Sequence, residues 1–161
     1  MSSIGYLSQN GVNKMFSQWV GSDPNLIQYG FGQLYNENGE AKAQQSYPGV
    51  WVNPVNTTSS EYAITRSYQI LFYDVPFISG SASNQNAIIS DCEEYAFRLV
   101  RFLRLKSDLF NINGIPNITP FTDRFLDDVS GVILDVSIDF NAESSDCEDP
   151  DYDFDIQNNE I

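Results

Sequence analysis

The sequence predicts an α+β fold: a mostly antiparallel, twisted sheet with a long β-hairpin, packed by an N-terminal helix and one long central helix. Three observations lead to this prediction. Residues 61–75 alternate as one long strand, residues 84–106 carry apolar side chains at helical spacing, and residues 132–140 alternate again. We expect one domain over residues 1–142, followed by an acidic C-terminal arm over residues 143–161.

The first predicted elements are a helix over residues 4–20 and a strand over residues 26–35. The helix has one apolar stripe at i, i+3, i+4, i+7 and i+8 spacing, formed by Val12, Met15, Phe16, Trp19 and Val20. Gly30 and Gly32 lie in the strand without the third glycine and the lysine of a phosphate-binding loop. They indicate instead a strand whose opposite face is crowded by another backbone.

A short strand follows at residues 50–53, between Pro48 and Pro54. This bracketing is typical of an edge strand, because proline cannot donate a hydrogen bond to a ladder. Residues 56–60 predict a flexible link into the long strand. The two strands then form a hairpin whose tip, at about residues 54–61, projects from the domain.

The long strand over residues 61–75 organises the fold. At about 3.3 Å per residue, the eleven residues from Tyr62 to Phe72 occupy roughly 36 Å of strand, about twice a typical strand. Such a strand outreaches its own core, so another segment or another chain must cover its overhang. Its candidate subunit-interface residues are Tyr62, Ile64, Arg66 and Tyr68.

The central helix, over residues 84–106, places its acids before its bases, which complements the helix dipole. Half of the basic residues of the chain lie within residues 98–106. They form either a solvated helix face with intrahelical ion pairs or a surface that meets the acids of a neighbouring subunit. The candidates for the second interpretation are Arg98, Arg101 and Arg104.

The last part of the domain ends in a β-hairpin. Residues 107–120 are predicted to be mostly loop, with a turn at Asn113-Gly114. Residues 121–128 are compatible with a short helix or a strand, and we favour a strand. A turn over residues 127–131 then leads into the clear final strand at residues 132–140.

Charge and composition exclude several functions. The net charge is −14, and residues outside the arm still hold 14 acids against 8 bases, so a phosphate-gripping surface is not expected. Histidine is absent, which removes the commonest general base and metal ligand. We therefore expect no enzyme, cofactor or metal site. The alternative is a carboxylate-based hydrolase that uses two of Asp123, Asp127 and Asp128.

The acidic arm holds eight acids and no base. Its DYDFD segment resembles the start of a calcium loop but lacks the required glycine and the final glutamate. We expect an extended or partner-docked arm, with three candidate anchors: Tyr152, Phe154 and Ile156.

Cys92 and Cys147 have no spacing that favours a disulfide. No stretch has the length or composition of a membrane span or a signal peptide.

Several short sequence segments, and the order of the elements around them, resemble those of a known group of proteins. They are YGFG, YPGVWV, FYD, ISDCEE, FTDRFLDDVSG and CEDP. Across about residues 4–150 the chain resembles the tail-terminator and neck-ring proteins of tailed phages that infect Bacteroidetes, including the crAss-like group. The resemblance implies a virion subunit without an active site, assembled in the host cytoplasm. It also implies a hexameric or dodecameric ring in the head-to-tail connector, between the portal, another connector ring and the tail proteins, with DNA passing along its axis.

A second hypothesis comes from the arm alone. A small cytosolic adaptor or inhibitor could act as a monomer if its acidic arm imitates nucleic acid for a basic partner. Deletion of residues 143–161 separates the two hypotheses, because only the adaptor would lose all binding while assembly is unaffected.

Overall fold

A computed structural model describes residues 8–32, 48–61, 63–75, 82–106, 110–124 and 129–141. In these residues the chain forms two helices, α1 (Gln9–Gly21) and α2 (Ala82–Leu105), and five strands. The strands are β1 (Gln28–Phe31), β2 (Gly49–Ser59), β3 (Ala63–Asp74), β4 (Asn111–Arg124) and β5 (Val129–Asn141). They form one sheet in the order β1-β2-β3-β5-β4, with β1 and β2 parallel and the other pairs antiparallel. The predicted α+β fold is therefore confirmed.

Both helices pack on one face of the sheet. α1 begins after Ser8, whose hydroxyl accepts a hydrogen bond from the Gly11 amide at 3.1 Å, and it buries its predicted apolar stripe. The Phe16 ring meets the Tyr68 ring edge-on at 5.6 Å, and the Trp19 ring meets Phe72 at 6.2 Å. α2 lies beside α1 over the even-numbered, fully buried side chains of β5.

β3 is the central strand and is covered by its own chain on both edges. β2 pairs with it on one side, and β5 pairs with all twelve of its residues on the other, from Ala63 opposite Asn141 to Asp74 opposite Ser130. The predicted need to cover the overhang is thus met by β5. The far end of the ribbon still reaches beyond the deeply buried part of the sheet, because β2 is exposed over residues 55–59.

The predicted hairpin tip was placed too early. Residues 56–59 are not a flexible link but the second half of β2, paired with residues 64–67. The turn lies beyond them, where the Ser60 amide donates to the Ala63 carbonyl at 2.8 Å. Threonine suits a paired strand, so the partner strand decides the structure of this polar segment.

The first half of β2 was also wrongly predicted to be an edge, because β1 pairs with it from Gly49 to Val52. Pro54 instead lies beside a β-bulge, where the pairing register with β3 shifts. The close approach predicted at Gly30 is real, but its cause is a side chain. A Cβ on Gly30 would lie 2.2 Å from the Trp51 ring rather than against another backbone.

The predicted loop over residues 107–120 is mostly strand. β4 starts at Asn111 and pairs with β5, and its register shifts between Asn113 and Asn117. Gly114 has a φ of 74° at this bulge, a conformation that favours glycine. The strand favoured for residues 121–128 is confirmed as far as Arg124, and the remaining part lies outside the described residues.

Candidate functional site

The first exposed surface is the projecting end of the β2–β3 hairpin. It comprises the last residues of β2 and the start of the turn, residues 55–61, and we call it the hairpin tip. No strand in the described part of the chain pairs with the outer edge of β2 beyond Val52. Val55, at the bulge, is 53% exposed, and the residues that follow it up to Glu61 are all exposed. The tip therefore offers backbone groups and side chains to a partner strand.

Arg66 and Tyr68 support the hairpin from inside. They are 6% and 1% exposed, so neither side chain reaches a neighbouring subunit, which corrects their assignment to the interface. An Arg66 Nη1 donates to Thr57 Oγ1 at 3.3 Å, and the Tyr68 hydroxyl donates to Gln9 Oε1 at 2.8 Å. Burial raises the pKa of the Tyr68 phenol, and the Arg66 cation partly opposes this rise.

The other two predicted interface residues of the hairpin are Ile64 and Tyr62. Ile64 is half-buried near the turn, so part of its side chain is accessible. Tyr62 lies outside the described residues.

The second exposed surface is the outer stripe of α2, which we define as Phe97, Arg101, Arg104 and Leu105. These residues recur at i, i+4 and i+7 or i+8 spacing and therefore share one helix face. Phe97 is 59% and Leu105 38% exposed, and both arginines are exposed beside them. Exposed aromatic and arginine side chains are enriched in protein interfaces.

Arg98 is used within the chain rather than at this surface. Its guanidinium lies 2.8 Å from Glu94 Oε1 and 3.3 Å from Asp23 Oδ2, and it stands 5.8 Å from the centre of the Tyr95 ring. The pair with Glu94 is the intrahelical pair that the spacing predicts. The contact with Asp23 links α2 to the end of α1.

The third exposed surface is the bulge of β4, residues 114–116. Ile115 is 94% exposed there, although it lies on a strand rather than at a chain end. The sequence predicts a loop at this segment, so Ile115 is not among the predicted site residues. An isoleucine between glycine and proline was the available indication of a projecting apolar residue.

The sheet face opposite the helices carries a small apolar cluster at one end, formed by Trp51, Leu71, Tyr73, Phe121 and Val129. The other end is polar. Ser67 and Ser137 hydroxyls lie 2.7 Å apart, and Asp139 accepts hydrogen bonds from Thr65 Oγ1 and Asn113 Nδ2. The polar groups of this face thus satisfy one another across the strands.

This polar face does not form a paired-carboxylate site. Asp135 and Asp139 share the face but lie four residues apart on one strand, or roughly 13 Å. Two carboxylates that act on one bond lie within about 5–10 Å of each other. The described residues also contain no group of three or more His, Cys, Asp or Glu side chains that could hold a metal ion.

The remaining predicted residues lie where the structure gives no side-chain description. They are Asp123, Asp127 and Asp128 of the hydrolase alternative and Tyr152, Phe154 and Ile156 of the arm.

Neither α1 nor α2, the two helices of the described residues, has the length and apolar character needed to cross a lipid bilayer. A comparison with known protein families finds no matching family, and a comparison with curated proteins finds no match.

Proposed function

We propose that this chain is a structural subunit of a closed homo-oligomeric ring in the head-to-tail connector of a tailed phage, as a tail terminator or neck ring. In this proposal the subunit contacts the portal, other connector rings and tail proteins within the virion, and DNA passes along the ring axis. The observation that carries the proposal is the projecting hairpin: among the described residues, no strand pairs with the outer edge of β2 at residues 55–59.

The arrangement of the exposed surfaces supports head-to-tail contacts. A ring requires that one patch of a subunit meets a different patch on the next copy. The hairpin tip lies at the β2 side of the sheet, and the β4 bulge lies at the opposite side. The tip lies at the end of the strands, where Ser59 aligns with Ile64, whereas the bulge lies level with Tyr68, at the middle of β3. The hairpin tip of one copy can therefore meet the β4 bulge and the outer stripe of the next.

The charge of the chain supports a passage for DNA rather than a binding site. With 22 acids against 8 bases, the chain has a net charge of −14, and this charge as a whole repels a polyanion. A wall that lets DNA slide needs this property, because phosphate contacts with Lys and Arg would hold the DNA in place.

The test compares two double variants that add the same charge. Asn56→Lys with Thr58→Lys places two lysines on the open edge of β2, where lysine discourages strand pairing. Asn86→Lys with Ser90→Lys adds two lysines to exposed positions in the first half of α2. Native mass spectrometry then measures the assembly of each protein, alone and with portal and tail components.

We expect the native chain and the α2 control to form six- or twelve-membered rings, and the β2 variant to remain largely monomeric. A strict monomer of the native chain under both conditions would overturn the proposal. If that monomer bound a basic protein and lost it on deletion of residues 143–161, the adaptor hypothesis would replace the ring. Equal assembly by both variants would remove the hairpin tip from the interface.

A further inference from the structure

A cleft of about 210 Å³ lies between the end of α2 and the start of β4. We call it the α2–β4 cleft, and its walls are Leu103, Arg104, Phe110, Asn111, Ile112 and Gly114. The side chains of Leu103 and Phe110 are buried and apolar, whereas Arg104 and Asn111 are exposed at the rim. A cavity of about 150 Å³ accepts a benzene molecule, so this cleft has room for one aromatic ring.

The α2 side of the cleft is basic in a chain that is acidic overall. Arg104 lines it, and Arg101 is exposed one turn earlier on the same helix face. Lys106 follows directly, with its ammonium group 5.7 Å from the centre of the Phe102 ring. Arginine at such a rim favours a ligand that joins an aromatic ring to carboxylates.

The C-terminal arm has this chemistry. Residues 143–161 hold eight acids and no base, and Phe154 stands between Asp153 and Asp155. An apolar ring flanked by two carboxylates matches the buried Leu103 and Phe110 side chains of this mixed cleft and the arginine at its rim. Within the sequence, the arm is the segment where acids are most concentrated.

The last described strand, β5, ends beside the cleft, and the arm follows it in the sequence. β5 ends at Asn141, and the ring of the preceding Phe140 lies 5.6 Å from the ring of Phe110, a wall of the cleft. Asn111, another wall, is paired with Asp139. From Asn141 to Phe154 the chain can extend over roughly 43 Å, so its length does not restrict docking. A tether of this kind gives an effective concentration on the order of 1 mM, at which even weak contacts are populated.

We propose that the acidic arm docks on its own chain, with the Phe154 ring in the α2–β4 cleft and Asp153 and Asp155 facing Arg101 and Arg104. The cleft and part of the outer stripe would then be covered. If the ring function proposed above holds, the docked arm and the neighbouring subunit compete for the same arginines. Displacement of the arm would then accompany assembly.

The test uses the full chain with the photo-reactive amino acid benzoyl-phenylalanine in place of Phe154. After brief illumination, peptide mapping by mass spectrometry locates the crosslinks, and an equal mixture of ¹⁵N and ¹⁴N chains separates contacts within one chain from contacts between copies. This readout does not depend on whether rings form, so it can fail or succeed independently of the ring proposal.

We expect crosslinks to residues 101–114 within single isotopic species. Arg104→Glu should lower their yield about tenfold, because it replaces a charge-assisted contact with repulsion. Lys14→Glu makes the same charge change on α1 and should leave the yield unchanged. Asp153→Asn with Asp155→Asn should lower the yield without altering the folded domain, which covers the case that Arg104→Glu disturbs the fold.

Three results would overturn the proposal: crosslinks mainly outside residues 101–114, crosslinks mainly between ¹⁵N and ¹⁴N chains, or a yield that the charge changes at Arg104 and in the arm leave unaltered. The second result would assign the arm to a neighbouring copy. The third would mean that the basic rim does not recognise the arm.

Discussion

Gly131→Ala tests the pairing of β3 with β5, on which the position of the projecting hairpin depends. A Cβ at Gly131 would lie 1.8 Å from the Phe72 carbonyl oxygen and 2.9 Å from the Tyr73 Cα. These are backbone atoms of the paired strand, so relief requires that the strands separate by more than 1 Å. Such a movement breaks about two ladder hydrogen bonds, each worth about 1 kcal/mol, and strains the adjacent packing.

We therefore expect Gly131→Ala to lower the free energy of unfolding by about 3 kcal/mol, measured by urea denaturation with circular dichroism. Gly21→Ala is the matched control, because nothing lies within 4 Å of a Cβ at the last residue of α1. The control should change stability by less than about 1 kcal/mol, in the stabilising direction. Equal, small effects of the two substitutions would refute the β3–β5 register.

Two further predictions concern buried titratable groups. Burial raises the pKa of the phenols of Tyr29, Tyr68 and Tyr73 above 10.0, so the folded chain keeps protons that the unfolded chain releases. The free energy of unfolding should therefore fall as pH rises above about 10. A constant free energy of unfolding there would contradict the packing of these three side chains. Burial, with Asp74 and Asp91 nearby, raises the pKa of the Cys92 thiol to about 12. A thiol reagent at neutral pH should therefore leave Cys92 unmodified until denaturant is added, as judged by peptide mass spectrometry.

The periodic elements could be predicted because their burial repeats along the sequence. The stripe from Val12 to Val20, the stripe of α2 from Ile88 to Leu103 and the even-numbered positions of β5 pack in the core as predicted. β4 could not be predicted in the same way. Gly114 and Pro116 interrupt it, and only its pairing with β5 makes it a strand, so a contact distant in sequence overrides local preference.

The candidate site was predictable only in part, for the same reason. Alternation places Tyr68 on one face of β3 but does not say that α1 covers that face. Arg101 and Arg104 are indicated by charge, whereas the contact of Arg98 with Asp23, which follows α1, cannot be predicted because the two residues are distant in the sequence. Ile115 projects because of a bulge that exists only in the paired sheet.

The cross-strand contacts among Thr65, Ser67, Ser137 and Asp139 have a consequence for how such subunits can be arranged. The donors and acceptors at this polar end of the sheet face already pair with each other. They therefore offer few hydrogen bonds to a second surface that packs against them. If the ring proposal holds, contacts between copies should therefore use the strand edges rather than this polar end of the sheet face.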